Sequence, residues 1–369
     1  MKKASFLTFL TLCFLIFVHP QTTIENLDDP QNKKAGRIVR LEEVFRIKDN
    51  GRDIIFRFPT DLKIGPKGGI YFYDNGILHK FDSRGNFLFT VLKIGEGPAE
   101  VMTRTQCAFL KNNIIVQAGT PPKILIYDLD GKLIDEMRTE TPHAYRHFIG
   151  IDDRLMGFLE EADRSVLGSE GYFDFPLNLY EVFIDSNQQE LIASFPVKHY
   201  VKLGGWWAQA SPVFAFKSPD TLLIVHTEDY KISVYDIKRN VEEKIIRRDY
   251  KRVKYVPSKE YLERIAKAPP KANIAPIPKF EQDIRYMALI KEDLWVLTST
   301  RDEKGRHLID VFDAEGIYVD NFYLEFPNTV RPHRFSMRNV VITGKFIFSI
   351  DTDTDDFCSI AKYKIIDNK

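Results

Sequence analysis

The chain of 369 residues is 44% hydrophobic, which predicts a globular protein with a large buried core and excludes a disordered chain. Its 52 lysine and arginine residues balance its 52 aspartate and glutamate residues. No overall field would therefore attract nucleic acid or an anionic membrane, and any charge preference must be local. The three cysteines are too few for a disulfide framework and form no CxxC metal motif.

Residues 1–20 are predicted to be a signal peptide. Lys2 and Lys3 precede an apolar stretch, residues 6–18, that is short for a bilayer span of roughly 20 residues. Cleavage is expected close to Pro20, although the usual small-x-small pattern is missing. An uncleaved N-terminal anchor is the alternative, and lipid attachment at Cys13 is disfavoured because Leu12 stands where a small residue is required. The protein is expected to be exported to the periplasm, the cell surface or the medium, with residues 21–35 as a linker.

Residues 36–369 are predicted to form one all-β domain, because a short pattern recurs six times. An apolar strand ends in an aromatic residue, and a polar turn and another strand follow, at 77–90, 124–136, 179–193, 232–245, 308–321 and 360–367. Two shorter apolar segments precede each copy, so each unit holds four antiparallel strands, as in a β-propeller. The last copy lacks its fourth strand, and residues 36–47 are a β-like segment without a partner. We predict a six-bladed β-propeller that this N-terminal strand closes.

A glycine-rich joint, Gly95-Glu96-Gly97-Pro98-Ala99-Glu100, follows the first copy. It is not a dinucleotide-binding fingerprint, because Pro98 lacks a backbone donor, Glu100 replaces the third glycine and strands flank it on both sides. With the strand repeats, the joint resembles the six-bladed β-propeller proteins with NHL-like repeats that Bacteroidetes and related bacteria export. A G-x-G-P-G-E segment commonly joins their blades, and Ala99 stands at its third glycine. The resemblance implies the fold and export, and it implies no defined activity.

Three stretches interrupt the regular strand pattern, at residues 160–176, 196–212 and 250–283, and each is predicted to be a loop at one end of the propeller. The longest, 250–283, is predicted to begin as a helix. Ser258 is a suitable N-cap, and Tyr261, Leu262 and Ile265 follow at helical spacing. Pro269 and Pro270 would end the helix and lead into an extended, proline-rich segment. We expect this insertion to form a rim or lid on the propeller, with a floppy loop as the alternative.

Arginine, histidine and tryptophan are concentrated in the joints between blades. Guanidinium groups suit carboxylate, sulfate or phosphate, and exposed tryptophans suit sugar rings or flat ligands. Alternatively, the arginines pair with nearby carboxylates and the tryptophans pack beneath the long insertion. The predicted ligand-binding residues are Arg57, Arg104, Arg146, His147, Trp206, Trp207 and Arg334.

No metal ligand set and no cofactor are predicted. The run of aspartates in residues 350–358 lacks the glycine and distal glutamate of a calcium loop, so it is interpreted as a turn. Motifs such as HxH, HExxH and GxSxG are missing, although strands far apart in sequence can assemble a propeller active site. The sequence favours an exported binding protein that recognises an anionic small molecule or a glycan at the loop-rich face. A protein-interaction scaffold and a metal-dependent hydrolase or lyase are the alternatives.

Overall fold

The computed structural model describes residues 21–49, 56–120, 122–139, 145–269, 272–327, 336–352 and 357–367, with the backbone alone at residues 103–105. Within these residues the chain is all-β, with 28 strands and one short α-helix. None of the helices in the described ranges is long and apolar enough to cross a membrane. The predicted signal peptide lies outside the described residues.

The N-terminal half of the chain forms two strands that join distant sheets and then two four-stranded antiparallel sheets. The joining strands are β1, Thr22–Asn26, and β2, Arg37–Lys48. The first sheet contains β3, Pro59–Ile64, β4, Ile70–Asp74, β5, Ile77–Phe81, and β6, Phe87–Thr90. A two-stranded parallel joint follows, with β7, Lys93–Ile94, and β8, Glu100–Val101. The second sheet contains β9, Thr103–Leu110, β10, Asn113–Thr120, β11, Pro122–Asp128, and β12, Leu133–Arg138.

Two five-stranded sheets come next. The third sheet contains β13, His147–Ile151, β14, Arg154–Glu160, β15, Gly171–Phe183, β16, Gln188–Lys202, and β17, Gly205–Ala208. The fourth sheet contains β18, Val213–Ser218, β19, Thr221–Val225, β20, Lys231–Asp236, and β21, Val241–Arg248, and β1 lies parallel to β21 at its outer edge. The segment expected to be a linker therefore contains a strand that adds to this sheet.

The C-terminal part of the chain forms an eight-stranded sheet. Its first half contains β22, Ile284–Ile290, β23, Asp293–Arg301, β24, His307–Phe312, and β25, Tyr318–Glu325. Its second half contains β26, Val340–Thr343, β27, Phe346–Thr352, and β28, Cys358–Ile366. β2 lies between the halves, parallel to β25 and antiparallel to β28, with Arg40 opposite Ile366. As predicted, the N-terminal strand pairs with the last strand.

The sheets are arranged as a β-propeller, and its core lies between neighbouring sheets. Second strands such as β4 are buried along their whole length, whereas the outer strand β6 alternates half-buried and exposed residues. The apolar cluster that includes Phe72, Phe81, Phe348 and Ile360 joins the first sheet to the end of the eight-stranded sheet, so the ring is closed. The first strands β3, β9, β13, β18, β22 and β26 surround a central space that we call the channel.

The two ends of the propeller differ. Because the strands are antiparallel, the connections between second and third strands and those between sheets lie at one end, which we call the loop-rich end. The short turns lie at the other end, the turn end. Three of these turns begin with an aspartate whose carboxylate accepts two backbone N–H groups, at Asp82, Asp128 and Asp313. Each also contains a glycine in the left-handed region, Gly85, Gly131 and Gly316, with φ of +88°, +84° and +92°.

The same three glycines are packing positions between sheets. A Cβ atom at Gly131 would lie 2.3 Å from the ring of Phe89 on β6. Corresponding contacts join Gly85 to Phe45 on β2 and Gly316 to Ile246 on β21. Each turn glycine therefore packs against an outer strand of the neighbouring sheet, which explains the requirement for glycine beyond its φ angle.

Two of the three predicted loops contain strand: residues 196–212 are mostly strand, and residues 171–176 belong to β15. β15 begins at Gly171 and β16 continues to Lys202, so a ribbon of paired strands, completed by β17, extends the third sheet at the loop-rich end. Each of these two stretches has a proline within the strand ladder. Pro176 and Pro196 face each other in the ladder, where neither backbone nitrogen has to donate a hydrogen bond.

The insertion at residues 250–283 contains the predicted helix, α1, Lys259–Ala266, and the Ser258 side chain accepts a hydrogen bond from the Tyr261 backbone. Residues on both sides of the helix are bound together at the base of the insertion. A bridge joins Lys254 to Phe280, and Tyr255 donates a hydrogen bond to the Lys279 carbonyl. The helix itself has no buried residue.

Candidate functional site

The channel is an apolar cavity of about 520 Å³. Phe109, Phe148, Phe216, Leu289 and Ile342 are among the side chains that line it. Among the described lining residues, Lys63 alone carries a formal charge. Met337, which precedes β26, also lines the cavity and packs against three of the apolar clusters between sheets. The channel can therefore accept an apolar group of a ligand. A negative charge on the ligand would have to lie near the positive charge of Lys63.

Lys63 and Asp61 form a polar pair on the first strand of the first sheet. The Lys63 ammonium donates to the Phe148 carbonyl at 3.2 Å and lies 3.8 Å from Oδ1 of Asp61. Asp61 is buried with a φ of +53°, and its Oδ2 has no hydrogen-bond partner among the described residues. Burial raises the pKa of Asp61, while the positive charges of Lys63 and Arg338 oppose that rise. An unsatisfied carboxylate oxygen at this depth marks the site as polar.

Arg338 brings a second positive charge to the same place. Its carbonyl accepts from the Leu62 backbone at 2.7 Å, and its Nη2 donates to the Arg146 carbonyl at 3.3 Å. Arg338 therefore connects the segment before β26 with the first and third sheets, although its side chain remains exposed. No carboxylate among the described residues forms an ion pair with Arg338. Its guanidinium has donors available for an anion.

His147 lies next to these charges at the start of β13. Its ring packs edge-on against Phe214, with 5.0 Å between the ring centres. Burial, together with the positive charges of Arg338, Lys63 and Arg146, lowers the pKa of His147 to about 3. The imidazole is therefore neutral at physiological pH and offers one donor and one acceptor. We call Asp61, Lys63, Arg146, His147 and Arg338 the mouth cluster.

Arg146 also belongs to a buried network in the third sheet. Its guanidinium binds Oε2 of Glu160, while Oε1 of Glu160 lies 3.1 Å from Nε2 of His199. Nδ1 of His199 is 2.8 Å from the Val197 carbonyl. Burial alone would raise the pKa of Glu160, but His199, Arg146 and a hydrogen bond from the Trp206 side chain lower it. Glu160 thus brings together Arg146 and Trp206, two of the predicted site residues.

Trp206 and Trp207 lie on opposite faces of the ribbon, because they are consecutive residues of β17. Trp206 pairs with Val201 on the face that carries His199 and Phe175. Trp207 stacks on Tyr200, which contacts Tyr172, so these three aromatic residues form a row on the other face. One small ligand cannot stack on both tryptophans at once.

The remaining predicted residues lie apart from the network or cannot be placed. Arg57 is exposed before β3, and its backbone nitrogen donates to the Asp74 carboxylate. Arg104 is on β9, and its side chain is not among those described. Arg334 lies outside the described residues. The predicted set of ligand-binding residues did not include Asp61, Lys63, Glu160, His199 or Arg338. The signal available for the first two was a pair of charged residues in a predicted innermost strand.

The glycine-rich joint is filled by the protein itself. Oε2 of Glu100 accepts from the Gly97 backbone at 3.0 Å, and a Cβ atom at Gly95 would lie 2.0 Å from the same oxygen. The Ala99 backbone donates to Glu136, whose other oxygen binds Lys123. The space that a phosphate would need is taken by the Glu100 carboxylate. Ala99 has a φ of +60°, which explains why glycine suits this position in the related joint motif.

No family model and no curated protein sequence matches the chain. Solved structures do. A Bacteroides fragilis protein named as exported shares 13% identity at a TM-score of 0.53, covering 94% of this chain and 100% of its own. A member of the DUF4221 family from Bacteroides vulgatus shares 9% identity at a TM-score of 0.50, covering 89% of this chain and 99% of its own. These similarities support the resemblance to exported Bacteroides β-propellers at the level of the fold.

Proposed function

We propose that the protein is an exported binding protein that takes a small molecule with an acidic group and an apolar body at the loop-rich end of its channel. The observation that carries the proposal is the mouth cluster, in which Lys63 lines an apolar cavity of about 520 Å³ and Arg338 follows the lining residue Met337 in the chain. The acidic group would bind the two cations, and the apolar body would enter the channel. Export is supported by the leader-like residues 1–20 and by the similarity to a protein named as exported.

We infer six blades for the propeller. Six first strands surround the channel. In the described residues, five apolar clusters each join two neighbouring sheets, and a sixth lies between the two halves of the eight-stranded sheet. The eight-stranded sheet then counts as two blades that share β2, because the N-terminal strand hydrogen-bonds to the outer edges of both. The arrangement gives the channel a first strand from every blade.

The balance of charge favours an anionic ligand. Glu160 is occupied by Arg146 and His199, which leaves Asp61 to balance Lys63 and Arg338. Burial raises the pKa of Asp61, so its negative charge is the costlier one to keep. A ligand carboxylate, sulfate or phosphate would supply the missing negative charge, and Arg338 can bind it through two nitrogens.

Binding of two fluorescent probes tests the proposal. Anilinonaphthalene sulfonate carries an acidic group on an apolar body, and N-phenylnaphthylamine has a similar body without charge. We expect Arg338→Gln to weaken sulfonate binding about tenfold, the effect of losing one charge-assisted hydrogen bond, and to leave the neutral probe unchanged. Ala215→Leu should weaken both probes because Ala215 lines the channel.

Arg84→Gln is the matched control, since Arg84 is exposed in a turn at the opposite end. The proposal is wrong if Arg338→Gln and Arg84→Gln bind the sulfonate equally well, or if the channel substitution has no effect on either probe.

Glycan recognition at the ribbon is a second candidate. The aromatic row Tyr172, Tyr200 and Trp207 favours it, because sugar rings stack on exposed aromatic faces. Glu170 and Lys202 beside Tyr200 would supply hydrogen bonds to hydroxyl groups. A glycan array tests this candidate with the variants Trp207→Ala and Trp206→Ala. Loss of binding in Trp207→Ala, compared with Trp206→Ala, would support it. The hydrolase or lyase alternative has no set of three metal-ligating side chains in the described part of the chain.

A further inference from the structure

The neutral charge of the whole chain conceals one strongly basic stretch. Residues 251–280, which we call the basic segment, contain eight lysines and arginines and only two acidic residues, Glu260 and Glu263. The segment forms most of the insertion at the loop-rich end. A local net charge of +6 within a neutral protein creates a field that acts at one place on the surface.

Most of these positive charges are not used to hold the fold together. Arg252 pairs with Asp283, and Lys259 lies 3.9 Å from Glu263. Lys251, Lys254, Lys267 and Lys279 are all exposed and form no ion pair with a described residue. The Arg264 guanidinium lies over the ring of Tyr261, one turn earlier in the helix. A solvated cationic surface of this kind is available to an anionic partner.

The basic segment also exposes apolar side chains. Val256 is 81% exposed, Leu262 on α1 is 45% exposed and Ile277 is 44% exposed. Helix α1 places Tyr261, Leu262 and Ile265 along one side and charged residues along the other, yet buries none of them. Apolar side chains beside solvated lysines are characteristic of segments that lie in the interface of a membrane.

The segment is also held firmly to the propeller. Arg252 binds the Asp283 carboxylate and the Glu228 carbonyl, and the Asn273 carboxamide packs against Gly205 of the ribbon. Its exposed residues are therefore presented on a fixed base, which reduces the entropy lost on binding.

We propose that the basic segment docks the protein on an anionic lipid surface, with the lysines at the headgroups and Val256, Leu262 and Ile277 at the acyl boundary. The exposed apolar residues favour lipid over a soluble polyanion, because a soluble polyanion would leave them in water. The proposal is independent of the ligand in the channel.

Vesicle flotation of the full chain recovered after export tests this docking. Vesicles of phosphatidylcholine alone are compared with vesicles containing one third phosphatidylglycerol, at physiological salt. We expect binding to the anionic vesicles and at least a tenfold loss in a variant with Lys251, Lys254, Lys267 and Lys279 changed to Gln. Any binding to the phosphatidylcholine vesicles through residues 1–20 would be the same in every variant.

Two further variants separate the explanations. Changing Lys111, Lys132, Lys238 and Lys364 to Gln removes the same charge from exposed positions outside the segment and should leave binding unchanged. Val256→Asn with Leu262→Asn should weaken binding at least threefold if apolar insertion contributes. The proposal is overturned if wild type ignores the anionic vesicles, if it binds heparin but not vesicles, if both lysine variants lose binding equally, or if the apolar variant binds like wild type.

Discussion

Arg252 and Asp283 join the two ends of the insertion, with Nε of Arg252 3.1 Å from Oδ1 of Asp283. Asp283 is almost fully buried, and its backbone nitrogen donates to the Glu228 carbonyl. Burial and the negative charge of Asp229 raise the pKa of Asp283 to about 6, against the opposing effect of Arg252. The base of the insertion therefore contains a carboxyl group that binds a proton under mildly acidic conditions.

Asp283→Asn is expected to flatten the dependence of stability on pH. The folded-state pKa of Asp283 lies above the unfolded value of 3.8, so the folded state binds the proton more tightly. Its contribution to stability is greatest below about pH 4 and is lost as the pH rises through 6. The change over this window should be about 1–3 kcal/mol. Urea unfolding of both proteins at pH 4, 5, 6 and 7 measures it.

Asp293→Asn is the control for this prediction, because Asp293 is exposed at the start of β23. It should keep the pH profile of the wild type. Identical profiles for wild type and Asp283→Asn would contradict the assignment of this group.

Ala99→Gly should stabilise the protein. Ala99 has a φ of +60°, and relief of this left-handed strain gains about 1–2 kcal/mol. The extra freedom of glycine in the unfolded chain removes about 0.4–1 kcal/mol of that gain, so a net rise of about 0.8 kcal/mol, within a range of about 0–1.6 kcal/mol, is expected. Chemical denaturation gives the difference. Ala314→Gly lacks the positive φ and should destabilise instead, and a loss of stability in Ala99→Gly would refute the strain.

Gly131→Ala should be more costly than Gly305→Ala. Both glycines have positive φ in turns that an aspartate stabilises, +84° and +76°, but a Cβ atom at Gly305 would meet nothing within 4 Å. At Gly131 the new methyl would collide with Phe89, and overpacking costs about 1–3 kcal/mol beyond the φ penalty.

The double variant Gly131→Ala with Phe89→Ala isolates this contact. It should recover part of the loss caused by Gly131→Ala, because the colliding ring is gone. Equal losses in Gly131→Ala and Gly305→Ala, measured by thermal unfolding, would show that the glycine is needed only for its φ angle.

Glu160→Gln should destabilise the protein by about 3 kcal/mol, because it removes the buried charge that binds both Arg146 and His199. Interactions with His199 and Arg146 lower the pKa of Glu160 below 4.5, so its contribution is present above that pH and is lost as the pH falls through the folded-state pKa. The difference from wild type should therefore shrink on acidification. Glu161→Gln changes the adjacent exposed glutamate and should be nearly neutral. A loss that stays constant below pH 4 would rule out this account.

Much of the fold was predictable because it depends on local chemistry. The turn glycines, the Ser258 cap and the apolar runs of second strands follow from φ angles, hydrogen bonding and burial within a few residues. The pairing of β2 with β28 was predictable because the last strand repeat lacked its fourth strand and the segment at residues 36–47 lacked a partner.

The candidate site was harder to predict because its parts come from different sheets. Lys63, His147 and Arg338 meet only after the ring closes, and no spacing in the sequence encodes that contact. Trp206 and Trp207 appeared as one feature in the sequence, yet the alternation of a strand directs them to opposite faces. The strand ribbon contains Pro176 and Pro196, which fit into paired strands because they face each other. That pairing cannot be read from the sequence.

The pairing of β2 with β28 also determines when the protein can finish folding. Nearly the whole chain separates Arg40 from its partner Ile366, so this contact has one of the largest sequence separations possible in the protein. As the chain is synthesised, β2 emerges early and keeps an open hydrogen-bonding edge until β25 and β28 follow. That interval is when the chain is most exposed to mispairing and aggregation.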